Sequence, residues 1–587
     1  MRRFVLGLFA AIGVATILAI LAVGSLAWYL IERRPALPDS IVLTADLNRA
    51  LAAGPSQDSL SAIVFGERPT LRDFLDAIER AGDDPRVKAL YVQLGQDGMA
   101  LATSQEIRDA VQAFRAKGKF AVAFSESFGE FGPGTRPYYL AAAFDEIWVQ
   151  PLGSVGLIGL RAEVPFFRGT LDWLGIKPVF DRREEYKTAA NSLTETAMTG
   201  PQREEIEALL TSMSGQIAHG IAASRRLPET EVRELIDRGP LLADEAKAAG
   251  LIDRIGYRDD ALAAARGRAG SGARMMPLSR YVDAAGRVHA SGPKIALIYG
   301  TGLIMQGSAD DDLLPGGETM SAGTVARAFR DAARDPDVRA ILFRVDSPGG
   351  SAVASETIWR EVSRARGRGK PVIVSMGDVA GSGGYYIAAP ADKIVAQPAT
   401  LTGSIGVLAG KLVVTGLLDR LGANSEAVQR GANAAMFSPF ADFSPAARAR
   451  LDAFLDATYR GFKERVAAGR HMSADQVEAV AKGRVWSGEQ AKERGLVDAL
   501  GGYDVALRLA KEAASIPADA AYELAVFPRP RGALERIVSR VAGRDGEPEA
   551  PSALQTIAVR LAALRATLGA VLDRAGVLRM PPVGEIR

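Results

Sequence analysis

Residues 371–407 read PVIVSMGDVAGSGGYYIAAPADKIVAQPATLTGSIGV. Val372-Ile373-Val374 is an apolar, β-branched run of the kind that fills a buried strand. A glycine-rich turn follows, with Ser382 between Gly381 and Gly383-Gly384, and Tyr385 to Ala389 then continues as a small-residue helix ending near Pro390. Strand, tight turn and helix in that order expose a hydroxyl. They also leave backbone N–H groups free at the helix start, where negative charge is favoured. Such a turn suits a nucleophile beside an oxyanion hole, and it equally describes a tight turn with a solvated serine. It is not the G-x-S-x-G elbow, because Ala380 stands where the first glycine belongs.

The rest of the chain weighs on that choice, because it repeats itself. Asp84-Pro85 recurs as Asp335-Pro336 and Gly118-Lys119 as Gly369-Lys370, at one constant offset. Four residues are extra in the first copy, after which Tyr138 to Ala142 matches Tyr385 to Ala389. Asp145 then falls on Asp392, and Gly156 and Gly159 on Gly403 and Gly406. A last block pairs Glu245 to Asp253 with Gln490 to Asp498. Each copy alternates short apolar strands, such as Ala340–Val345 and Lys393–Ala396, with amphipathic stretches such as Ser355–Arg366. That alternation predicts an α/β fold with largely parallel pairing, built as two tandem domains. The expected boundaries are 1–34 for a stub and membrane anchor, 40–270 for the N-terminal repeat and 271–293 for a Gly- and Ala-rich linker. The C-terminal repeat is expected at 294–515. The extension at 516–587 carries Leu554, Ile557, Leu561, Leu564, Leu568 and Leu572 at helical spacing.

The copies differ where chemistry would sit. Ser382 aligns with Thr135, and Gly383-Gly384 with Arg136-Pro137. The turn Asp346-Ser347-Pro348-Gly349-Gly350 aligns with Gly95-Gln96-Asp97-Gly98-Met99, again with a glycine lost. Conversely the first copy has Lys187, while Ala434 stands at the equivalent distance past Ser382. One copy keeps a serine apparatus and the other a lysine, as a dyad divided between degenerate repeats would. Taken alone, Lys187 reads as a solvated lysine near a helix start.

Composition narrows the chemistry. The 587 residues contain no cysteine and only three histidines, His219, His289 and His471, each in a polar or loop-like context that reads as surface. Disulfides, thiolate metal sites and cysteine nucleophiles are excluded, and a histidine triad or metal centre has little material. A net charge of +2 without a basic run gives no case for nucleic acid. Residues Phe4 to Ile31 are apolar almost throughout, long enough to span a bilayer, with Trp28 and Tyr29 at the outer end. Arg2 and Arg3 would hold the N-terminus in the cytoplasm and leave the remaining chain on the far side. A cleaved signal peptide, cut near Ser25-Leu26-Ala27, is the alternative.

The motifs together resemble the bacterial signal peptide peptidase A family (protease IV) in its long, two-copy form. They are RVDSPGGS at 344–351, MGDVAGSGGYY at 376–386, LTGSIG at 401–406, YKTA at 186–189 and GRVWSG at 483–488. The resemblance covers the chain from the apolar N-terminus to about residue 515. It implies a crotonase-like or Clp-protease-like fold, Ser382 as nucleophile, Lys187 as general base and Ser404 positioning the lysine amine. Backbone N–H groups of Gly383 and Gly349 would be the oxyanion donors, and no cofactor or metal is implied. It further implies signal-peptide remnants and other apolar peptides as substrates, a homo-oligomer (a tetramer), and an inner-membrane protein with its domains on the periplasmic side. A lysine works as a base only when neutral, yet at its reference value only roughly one in 2,500 is neutral at pH 7. The resemblance therefore requires Lys187 to be buried. Two other readings are a crotonase-type acyl-CoA enzyme, against which the apolar N-terminus and a missing carboxylate pair argue, and a non-catalytic membrane scaffold.

Overall fold

The computed structural model describes residues 37–55, 69–95, 98–270, 272–307 and 319–528, together with the backbone of 577–579 and 585–586. The apolar run Phe4–Ile31 and the stretch of helical spacing from Leu554 to Leu572 lie outside the described residues. Among those described, no helix is long and apolar enough to cross a membrane.

The first copy begins with β1 (Ile41–Asp46), α1 (Leu71–Asp83), β2 (Val87–Gln93), α2 (Leu101–Ala116), β3 (Phe120–Ser125), α3 (Thr135–Ala141) and β4 (Glu146–Val149). It continues with β5 (Lys177–Arg182), the long α4 (Gly200–Arg225), β6 (Arg254–Ile255), β7 (Arg274–Pro277) and α5 (Leu278–Ala285). Its sheet has the order β7-β1-β2-β3-β4-β6, and every pair in it is parallel. The expected linker is therefore partly wrong. Residues 274–285 supply the sheet's edge strand and a helix whose buried Tyr281 donates to Asp84 Oδ2 at 3.1 Å. A four-residue edge strand between glycine-rich flanks carries too little periodicity to be seen in the sequence.

The second copy runs β8 (Lys294–Thr301), β9 (Leu303–Met305), β10 (Val338–Ser347), β11 (Gly349–Ser351), α6 (Ala352–Gly367), β12 (Val372–Gly381), α7 (Gly383–Ala388), β13 (Lys393–Ala396), β14 (Leu401–Gly403) and β15 (Leu408–Val413). After these come α8 (Pro445–Arg470), β16 (Val485–Ser487), β17 (Ala499–Leu500), α9 (Tyr503–Ala513) and β18 (Glu523–Phe527). The strand order β18-β8-β10-β12-β13-β17 reproduces the first sheet, with β14 and β16 added beside β12. Strand β18 pairs with β8 from Lys294↔Glu523 to Ile298↔Phe527, so this copy's sheet reaches past the expected boundary at 515.

The repeat extends to individual hydrogen bonds. Lys119 and Lys370 donate to the carbonyls of Asp84 and Val87, and of Asp335 and Val338. Tyr138 and Tyr385 donate to the carbonyls of Leu251 and Leu496. Helices α4 and α8 both open on a hydroxyl cap followed by proline in the first turn, Thr199 with Pro201 and Ser444 with Pro445. A third sheet joins the copies. Its order is 319–321, β9, β11, 577–579, β15, β5, so that first-copy β5 pairs with second-copy β15.

Candidate active site

Strand β12 does not stop at Val374 but runs through Gly381, and Ser382 makes the turn alone, at φ 54° and ψ −115°. A positive φ on a residue other than glycine costs about 1–3 kcal/mol and survives only where the surroundings impose it. Here the Ser382 N–H donates to Gly403 O at 2.8 Å, and Ser382 O accepts from the Tyr386 N–H at 2.9 Å. Helix α7 follows at once. A Cβ on Gly384 would lie 2.6 Å from Ser347 O, so this turn admits no side chain there.

Lys187 arrives from the other copy. The antiparallel ladder of β5 and β15, from Lys177↔Val413 to Arg182↔Leu408, carries the first-copy chain across the boundary. Beyond it, the Tyr186 N–H donates to Lys482 O at 3.1 Å. Gly483 packs so closely that a Cβ there would lie 2.5 Å from Lys187 N. Lys187 is not solvated: it is 0% exposed, as are Ser382 and Ser404. Its Nζ lies 3.0 Å from Ser382 Oγ, 2.9 Å from Ser404 Oγ and 2.9 Å from Ser404 O. Ser404, at φ 52°, is set by its own N–H donating to Arg484 O at 2.7 Å. Burial holds the Lys187 amine well below the ordinary lysine range, opposed only by the charge of Glu205.

The two glycines expected as oxyanion donors lie together: a Cβ on Gly383 would be 3.2 Å from Gly349 Cα. The Gly349 N–H already has a partner, donating to Ser347 Oγ at 3.1 Å. Beside this turn, Asp346 is pushed up to about 7 by burial and by the neighbouring Asp378. The backbone of 577–579 pairs antiparallel with Gly349–Ser351 on one side and meets β15 at Leu408 on the other.

Three features escaped the sequence reading. Buried Arg344 donates to both carboxylate oxygens of buried Glu106 on first-copy α2, at 2.8 and 3.4 Å, and to Ser375 Oγ at 2.8 Å. The signal was present, since an arginine inside the apolar strand AILFRV needs a partner. Thr103, also on α2, donates from its N–H and its hydroxyl to Asp378, at 2.8 and 2.7 Å. Glu205 on α4 is 2% exposed, and burial pushes its carboxyl up to about 8. Of the histidines, His289 is not a free surface residue: it stacks on Tyr522 at 4.2 Å and bonds to Glu79 at 3.0 Å.

The family model for peptidase family S49 matches residues 129–271 and 364–517, one block in each copy. The chain is 31% identical to the chloroplastic serine protease SPPA of Arabidopsis thaliana over 81% of its own length and 70% of that protein's. It is 32% identical to Protease 4 of Salmonella typhi, over 79% and 74%. A solved ClpP1 mutant from Listeria monocytogenes overlaps 35% of this chain and 92% of its own, at 15% identity and a TM-score of 0.23. The chain is a serine protease that belongs to peptidase family S49, in the long form with two copies of the domain.

Proposed function

We propose that the chain is an endopeptidase in which Ser382 is the nucleophile, Lys187 the general base and Ser404 the residue that orients the lysine. The observation that carries this reading is the 3.0 Å contact between Lys187 Nζ and Ser382 Oγ in a fully buried setting. A neutral amine has two N–H donors and one lone pair. The Ser404 carbonyl and hydroxyl take the donors, which leaves the lone pair for the Ser382 hydroxyl. Burial lowers the amine well below the ordinary lysine range and so favours its unprotonated form.

In the first step Ser382 Oγ bonds to the peptide carbonyl carbon and its proton passes to Lys187 Nζ. The carbonyl oxygen becomes an oxyanion facing the Gly383 N–H at the start of α7. Gly349 serves as the second donor by exchanging the Ser347 hydroxyl for the oxyanion. Removing one such donor typically costs about 2.7–4 kcal/mol of transition-state stabilisation. Lys187 then gives its proton to the leaving amine as the C–N bond breaks. Water, deprotonated by the same lysine, cleaves the acyl-serine ester.

The substrate lies as an extended strand between β11 and β15. The backbone of 577–579 already pairs in this groove, and main-chain hydrogen bonding of that kind reads peptides with little regard to sequence. Signal-peptide remnants and other apolar peptides fit an enzyme held at the membrane by Phe4–Ile31, with its two copies on the periplasmic side and assembled as a homo-oligomer. The test is fluorophosphonate labelling followed by peptide mapping. Label on Ser382 of the wild type, lost in Lys187→Ala while the fold is retained, is the expected result. Full peptidase activity in Ser382→Ala or Lys187→Ala would refute the dyad.

A further inference from the structure

The segment 482–485 covers the lysine and is held from both ends by the first copy. At one end Lys482 O accepts from the Tyr186 N–H, next to Lys187. At the other, Glu205 on α4 accepts from the Val485 N–H at 2.7 Å. Between these anchors Gly483 presses on the Lys187 backbone and Arg484 O accepts from the Ser404 N–H. The Arg484 guanidinium reaches back to Glu204 Oε1 at 2.8 Å and Tyr186 OH at 3.3 Å. Val485 packs with Ile206 and Leu209 of α4, so the Glu205 carboxyl sits in apolar surroundings. The charged groups facing it are Arg484 across the copy boundary, Lys187 of its own copy and Glu204 on its own helix.

From this arrangement we infer that Glu205 is a positioning residue for the lysine: its uncharged carboxyl holds segment 483–485 over Lys187 and Ser404, and its ionised form would draw a proton back onto the amine. The inference rests on the reading of Lys187 as the base. Its physical core is one proton shared by two buried groups. With the proton on the carboxyl both groups are neutral and the amine can act as a base. With the proton on the amine, the site holds a buried ion pair and the base is lost. Burial disfavours the charged arrangement on both sides, which is why the carboxyl is pushed up to about 8 while the amine is pushed down.

The experiment compares the pH profiles of kcat/KM for wild type, Glu205→Gln and Glu205→Ala on one peptide substrate, with thermal unfolding confirming that each is folded. Glutamine keeps an acceptor for the Val485 N–H and can never ionise. The expected result is that Glu205→Gln retains kcat at the optimum within about threefold and that its acid limb follows that of the wild type, because a carboxyl pushed up to about 8 is already uncharged on that limb. Folded Glu205→Ala loses tenfold or more in kcat with little change in KM. Asp346, which ionises in the same range, is common to all three proteins and cancels in the comparison. A Glu205→Gln acid limb displaced to lower pH, which would mean that the wild-type carboxyl is ionised there, or a Glu205→Gln as impaired as Glu205→Ala, overturns the inference. Failure of the dyad itself would look different: Ser382 would not label in the wild type, whatever stands at 205.

Discussion

At equivalent turns the two copies hold Thr135 and Ser382, and they treat the hydroxyl in opposite ways. Thr135 Oγ1 is committed within its own copy, donating to Gly159 O at 2.9 Å and accepting from the Ile158 N–H at 3.1 Å. The Ser382 hydroxyl faces a lysine that the other copy delivers. The scaffold around both turns is the same: a parallel strand before, a short helix after, and a buried tyrosine tied to a distant carbonyl. The difference lies in what fills the space beside the hydroxyl. A turn closed by its own backbone is a structural element, whereas a turn left open to a neighbouring lobe can take a catalytic partner. The duplication therefore leaves one scaffold copy free to become a support for the other.

The contrast is broken most directly at the two hydroxyls. Ser382→Ala should lose at least about a thousandfold in kcat, whereas Thr135→Ala should keep kcat within about twofold and cost stability of about 1 kcal/mol. Equal losses in the two variants would show that the first-copy turn is not merely structural. Next in size is the joint between the copies. Arg344→Met leaves the Glu106 carboxylate buried without its partner and should destabilise by about 3–5 kcal/mol in chemical denaturation. Pairing it with Glu106→Leu should recover much of that loss, since two well-packed apolar side chains replace a buried ion pair at little cost.

Ser404→Ala removes a hydroxyl partner of the lysine and should lower kcat about tenfold to a hundredfold, equivalent to about 1.4–2.7 kcal/mol, with KM little changed. A smaller effect concerns stability and pH. Because burial lowers Lys187 in the fold, unfolding takes up a proton, and wild-type stability rises with pH from that lowered value toward the ordinary lysine value. Lys187→Met should therefore melt higher than the wild type at pH 7, by a margin that disappears above about pH 10.5. A margin independent of pH would mean that the amine is charged in the fold. Smallest of all, removing residues 577–587 should lower KM a few-fold and leave kcat alone, because a substrate strand would no longer compete with the chain's own backbone along β11.

Much of this was legible in the sequence. The repeat, the alternation of strands and helices, and the exchange of Ser382 for Thr135 and of Lys187 for Ala434 all follow from residue order. Strand Lys393–Ala396 matches its expected bounds, because the β-branched pair Ile394-Val395 lies between Pro390 and Pro398, which leaves little latitude. What stayed hidden depends on contacts between distant segments. Glu204 and Glu205 are neighbours in an ordinary charged helix turn, yet one pairs with Arg484 at the surface and the other is buried against Val485. No local pattern separates them, since the difference is made by a strand 280 residues away. The short edge strands at 274–277 and 523–527 were missed for a related reason: each gains its stability from the sheet it completes. The Gly349 N–H was expected free, and only the geometry reveals that Ser347 occupies it.

The envelope around Lys187 has a consequence for biosynthesis. The lysine-bearing half emerges from the ribosome first, but Ser404, Gly406 and Gly483, which exclude water from the amine, are all made later. Until they dock, the amine is hydrated and charged, and under the proposed dyad the nascent chain has no base to offer. Proteolytic competence thus arrives only with the last portion of the fold, which spares the cell a half-made protease. A chain arrested before residue 480 should be inert toward fluorophosphonate even though Ser382 has already been synthesised.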